Sequence, residues 1–183
     1  EVACNWKVYV DNYLEGYHVP RVHPRLASLL DCAAYATTTA RWSSLQASPL
    51  AGNGPYGQGE ALYWWLYPNT MLNVLPGRLQ TNRVIPVGVD ACRVEFDYYY
   101  APDLPADRRE EDQRFSDEVQ REDIAICESV QRGLACGSYV AGRLNPQQES
   151  ALHRFHELLR AAYRADANPA AEPAGAASHG AGR

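Results

Sequence analysis

The sequence predicts an α+β domain in which a curved antiparallel sheet packs on a long C-terminal helix. Three observations carry that prediction. β-prone runs punctuated by Pro-Gly, Pro-x-Gly and Ala-Pro fill the middle of the chain. Helical patterns occupy both ends. The 183 residues are 46% hydrophobic and 21% charged, enough for one sizeable core.

Taken in order, residues 5–19 can form a helix that Pro20 should end. "PRLASLLD" (24–31) reads as another helical turn or two. "YATTTARWSSLQ" (35–46), rich in Thr and aromatics, reads as a strand, and the Gly/Pro-rich 47–60 as a loop. "ALYWWLYPNTMLNVLPG", "RLQTNRVIPVG" and "CRVEFDYYYAP" follow as an antiparallel meander. A long helix is predicted over 105–134 and another over about 146–165. These make one domain, 1–166. The Ala/Gly/Pro-rich tail, 167–183, reads as disordered. No internal repeat is visible.

A net charge of −5 argues against a nucleic-acid partner, which needs a strongly positive surface. No apolar run approaches the roughly 20 residues of a membrane helix, and no signal-peptide pattern is present. The five cysteines are widely spaced, with no CxxC pair. They read as free thiols in a reducing cytoplasm rather than as a disulfide framework or structural zinc site. The abrupt start at "EVACNWKVYV" suggests a piece of a longer protein.

"DNYLEGYHVPRVHP" (11–24) gathers two of the five histidines. On a helix, with Asp11 at zero, Glu15 falls at roughly +40° and His18 at roughly −20°, one polar stripe. His23 would diverge from His18 by roughly 140° on a continuous helix. The break at Pro20 can swing it back. The pair is compatible with two ligands on one metal, and equally with ordinary surface or core histidines.

A third ligand is available on the long helix. Phe115, Val119, Ile126, Cys127, Val130 and Leu134 define one buried stripe, with Asp123 near its middle. Glu118, Glu122 and Glu128 lie off it, as solvated charges should. An aspartate inside an apolar stripe is costly unless paired or metal-bound. It is either a buried Asp bonded to a Tyr or Arg, or a ligand. Two histidines and one carboxylate make the facial triad of non-haem Fe(II) oxygenases.

"NWKVYVDNYLEGYHVPRVHP" closely resembles the catalytic-domain signature of Rieske-type non-haem iron oxygenases, the α-subunits of ring-hydroxylating dioxygenases. "QREDIAICESVQRGL" resembles the segment carrying their third ligand. The meander looks like the family's sheet and "GRLNPQQESALHRFHELL" like its C-terminal helix, so the resemblance spans about residues 5–163. It implies a helix-grip fold (Bet v 1-like, START-related). It implies His18, His23 and Asp123 as ligands of a mononuclear Fe(II), and Glu15 as the acidic bridge through which electrons arrive. Glu rather than Asp there leans toward the branch with choline and carnitine monooxygenases. Asn12 and Asp11 are candidates for supporting the ligands; Asp11 reads equally as a capping or solvated carboxylate.

The family carries a Rieske domain with CxH and CxxH pairs, and this sequence has neither. A [2Fe–2S] cluster is therefore expected on a missing domain or a neighbouring subunit, fed by a reductase from NAD(P)H. A homotrimer is implied by the family alone. His153 and His156 read as structural or solvated. The expected chemistry is hydroxylation, dihydroxylation or demethylation of a small organic substrate with O2. An aromatic-lined pocket would suit a quaternary amine or an aromatic ring. Asn12, Tyr67, Met71 and Asn73 are pocket candidates; most other strand aromatics read as sheet packing. The competing reading is a non-catalytic helix-grip module that binds a small hydrophobic ligand, which iron content would distinguish.

Overall fold

The computed structural model of the chain describes residues 1–52 and 54–167. Three short helices come first: α1 (Trp6–Tyr13), α2 (Val19–Val22) and α3 (Pro24–Ala27). Six strands follow: β1 (Ala36–Thr39), β2 (Ser43–Pro49), β3 (Glu60–Leu66), β4 (Thr70–Leu75), β5 (Arg78–Pro86) and β6 (Cys92–Tyr100). Two helices close the chain, α4 (Ala106–Ala135) and α5 (Ser150–Ala167). The strands form one antiparallel sheet in sequence order, β1-β2-β3-β4-β5-β6. Short connections make that order natural. β4 and β5 are joined by Pro76-Gly77, and Gly77 supplies the positive φ (78°) that a two-residue hairpin requires.

The long helix and the strands β3–β6 lie close to the expected spans. The strand expected over 35–46 is two, because the chain reverses at 40–42, where the Ala40 N–H donates to the Ser43 carbonyl at 2.8 Å. β2 then runs to Pro49, into the expected loop. The helix expected over 5–19 stops at Tyr13. Pro20 does not end a helix but lies in the first turn of α2, where its missing N–H costs nothing. The expected tail lies, from residue 168 on, outside the described residues.

Gly16 in the intervening turn has a packing reason. A Cβ there would sit 2.4 Å from Cζ of the Tyr35 ring. Gly16→Ala should therefore displace Tyr35 and cost about 1–3 kcal/mol. A denaturant midpoint unchanged from the parent would disprove this account.

The sheet's inward face is graded. Trp65, Met71 and Val84 form one apolar end, packed with Val8, Leu14 and Phe155 from α1, the turn after it and α5. Trp65 meets Phe155 edge-on at 5.4 Å, a geometry worth about 0.5–1.5 kcal/mol. Ala61 and Leu75 form the other apolar end, with Val19 and Leu30. Between them the same strands present Tyr63, Asn73, Gln80 and Asn82 to a cavity. α4 crosses the inward side of β5 and β6, where the Ser116 hydroxyl accepts from Gln80 Nε2 and from the Tyr98 hydroxyl, each at 2.9 Å. α1 packs against α4 and β5, and α5 against β1.

The helix-grip (Bet v 1-like) assignment is corrected. The α+β class stands, but the long helix is not the last element. α4 is followed by α5, which carries the side chains that close the Trp65 end of the core. Val130 and Leu134, expected in the buried stripe of α4, are 45% and 40% exposed, because the helix runs past the protein beneath it.

Candidate metal centre

α2 is a single helical turn. His18 is its N-cap and His23 its C-cap, and His23 is also the N-cap of α3. Two histidines five positions apart, which would diverge on a long helix, thus flank one turn. The two imidazoles meet edge-on with centroids 5.2 Å apart. α4 brings Asp123 across to them. One ligand atom from each of His18, His23 and Asp123 lies within 4.8 Å of the others. That spacing is on the scale of two metal–ligand bonds of about 2.0–2.2 Å each.

A carboxylate stands behind each imidazole. His18 Nδ1 is 2.5 Å from Glu15 Oε1, and the His18 backbone N–H donates to Glu15 Oε2 at 3.1 Å. His23 Nδ1 is 2.7 Å from Glu122 Oε2. These contacts fix the rings and leave each Nε2 for the centre. His23 Nε2 is 3.0 Å from Asp123 Oδ1, which also accepts from Asn12 Nδ2 at 2.7 Å. His23 is 1% exposed. Burial alone would lower its pKa, but hydrogen bonding and charge from Asp123, then Glu122, outweigh it and the pKa is raised. The imidazole is held between two carboxylates, a basic donor that a cation can replace a proton on.

Glu122 is a correction. The helical pattern placed it among the solvated charges, yet it orients His23. Glu122→Ala should lower metal affinity about 10–100-fold while α4 stays folded. Competition with a metallochromic chelator measures this, and an unchanged affinity would remove Glu122 from the centre.

The cavity beside these groups has a volume of about 110 Å³. Asn12 and Asn73 line it, though each is engaged: Asn12 with Asp123, Asn73 as acceptor for the Tyr13 hydroxyl at 2.7 Å. Tyr67 and Met71 do not line it. Met71 is fully buried at the Trp65 end of the sheet, and Tyr67 packs on Trp42 and Trp65. Sequence reasoning missed Tyr9, Tyr13, Tyr35 and Arg78, which do line it. Asp11 pairs with His156 at 2.9 Å rather than supporting the ligands.

The model of the ring-hydroxylating α-subunit catalytic domain matches residues 1–45 and 31–165. The chain belongs to this family. Its catalytic domains bear a mononuclear non-haem iron, and the donor set here, two imidazoles and a carboxylate converging beside a cavity, fits such an ion. The chain is 42% identical over 168 residues to the chloroplastic choline monooxygenase of Arabidopsis thaliana, covering 86% of this chain and 39% of that one. It is 30% identical over 177 residues to the carnitine monooxygenase oxygenase subunit of Escherichia coli K12, covering 88% and 47%. The solved structure of a quaternary ammonium Rieske monooxygenase superposes with a TM-score of 0.77 at 27% identity, covering 87% of this chain and 47% of that one. That likeness sets the fold with the Rieske oxygenase catalytic domains and overturns the Bet v 1-like assignment. The chain spans less than half the length of these curated relatives. Among its described residues no helix is long and apolar enough to cross a membrane.

Proposed function

We propose that this chain is the iron-bearing part of a Rieske-type monooxygenase that oxidises a small quaternary amine. The observation that carries the reading is the convergence of His18, His23 and Asp123 at the wall of the cavity. Fe(II) held by these three residues would supply reductive activation of O2. Glu15 and Glu122 orient the two imidazoles, and Asn12 orients the carboxylate.

Glu15 also serves as the electron bridge. It is 9% exposed and touches His18 through both carboxylate oxygens. Electrons reach it from a [2Fe–2S] Rieske centre on another domain or a neighbouring subunit, supplied by a reductase from NAD(P)H. A homotrimer would provide such a neighbour. The substrate class follows from the lining. Tyr9, Tyr13 and Tyr35 stay protonated because burial raises their pKa, and aromatic rings attract a quaternary ammonium. The names of the choline and carnitine relatives point the same way. A reducing compartment such as the cytoplasm suits the five cysteines, all free thiols.

The test uses the full-length protein with its reductase. Wild type should bind iron and couple NAD(P)H-driven O2 uptake to oxidation of choline. Glu15→Gln should keep its iron and lose turnover. No iron after anaerobic reconstitution would sink the proposal.

A further inference from the structure

The metal cavity has a direction. Phe115, Val119 and Asp123 follow one another at steps of four on α4, and all three line it. Eight residues of helix rise about 12 Å. The cavity therefore runs along α4, with the candidate ligand Asp123 at one end and Phe115 at the other.

Beyond Phe115 the same helix lines a second, smaller cavity of about 30 Å³ with Arg108, Glu111 and Asp112. Arg25, Arg108 and Glu111 bring partly exposed side chains to it, so it faces solvent. Phe115 and Arg78 are the two residues common to both linings. Both are buried, and both are held. Arg78 Nη1 donates to Asp112 Oδ1 at 2.9 Å and Nη2 to Gln80 Oε1 at 3.2 Å. The Arg25 guanidinium lies over the Phe115 ring at 4.8 Å, a cation–π contact, and is tied in turn to Glu118 at 2.7 Å. The wall between the two cavities is thus a fixed ion pair beside one apolar ring. Only the ring can be trimmed without stranding a buried charge.

We infer that Phe115 is a specificity-determining residue that sets the longest chain a substrate can carry. The inference rests on the quaternary-amine reading above and adds a length limit to it. With the ammonium group at the metal end, a short chain stays within the cavity. A longer one extends along α4 until it meets the Phe115 ring. Each methylene that reaches the apolar lining gains affinity, and one that collides with the ring loses it, because a packed wall yields only with strain. Removing the ring joins the two cavities and gives a longer chain a path toward solvent.

The full-length protein loaded with Fe(II) under anaerobic conditions tests this by calorimetry with n-alkyltrimethylammonium ions, from methyl to octyl. Wild-type affinity should rise about three- to fourfold per methylene and then break downward at one chain length. In Phe115→Ala the rise should continue past that length. A chain two methylenes beyond the break should bind the variant about tenfold or more tightly than it binds wild type. Phe115→Trp should move the break to a shorter chain. Phe115→Leu, which removes less of the ring's bulk, replaces Phe115→Ala if that variant does not fold, and should shift the break in the same direction. Loss of stability alone would weaken every member of the series alike and leave the break in place. A break at the same length in wild type and the folded variants, or no break up to octyl, would overturn the length limit while leaving the metal centre and the amine reading standing. Failure of wild type to bind any member of the series, with iron loaded, would overturn both the length limit and the quaternary-amine reading.

Discussion

Asp123→Ala should strip the protein of iron while leaving it folded. Asp123 is the one carboxylate of the proposed ligand set, and two imidazoles alone neither complete the coordination nor offset the charge of a dication. The loss in affinity should exceed the roughly 10–100-fold expected for the outer partner Glu122. Iron per chain should fall from about one to below about a tenth after anaerobic loading and desalting, read by elemental analysis. The fold should survive, because among the described residues Asp123 hydrogen-bonds only to His23 and Asn12, and it keeps partial contact with solvent. Losing those links should cost about 1–3 kcal/mol. Asp123→Asn keeps an oxygen for Asn12 but not the charge, and should fall between. A fully loaded Asp123→Ala would move the metal elsewhere.

Asp112→Ala should have the opposite profile, large in stability and small in metal. Asp112 is 6% exposed and accepts from Arg78, Tyr56 and Tyr100. Its removal leaves a guanidinium buried without its counter-charge, which costs about 3–5 kcal/mol. For a domain of this size that is a fall in Tm of roughly 6–20 °C. A double variant, Asp112→Ala with Arg78→Met, should recover part of the loss, since deleting both charges is cheaper than stranding one. Differential scanning calorimetry of the metal-free chains decides it. A Tm within about 2 °C of the parent would show that water reaches the guanidinium.

Much of this was legible in the residues, for identifiable reasons. α4 was readable because its apolar residues recur at three and four, and its in-stripe Asp123 stood out as a charge in the wrong place. Glu122 was not readable. Neighbours on a helix diverge by about 100°, so the pattern assigned it to solvent, yet His23 offers a nitrogen on each side and reaches both. Alternation left a different question open in β5. Arg78, Gln80 and Asn82 share a face with period two, as any strand dictates, but period says which residues share a face and not which face is inside. Here the polar face is the inner one. The turn after α1 holds Gly16 under the Tyr35 ring, a contact between distant parts of the chain that no local pattern carries.

The sheet pairs only sequence neighbours, so each hairpin can close with its own turn. The candidate ligands are the reverse: His23 and Asp123 are separated by 100 residues. A chain that has zipped its strands but not yet docked α1–α3 onto α4 would have no binding site at all. Metal uptake should therefore report that long-range closure, and rapid-mixing experiments with a coloured divalent ion should see it lag behind the β-sheet signal.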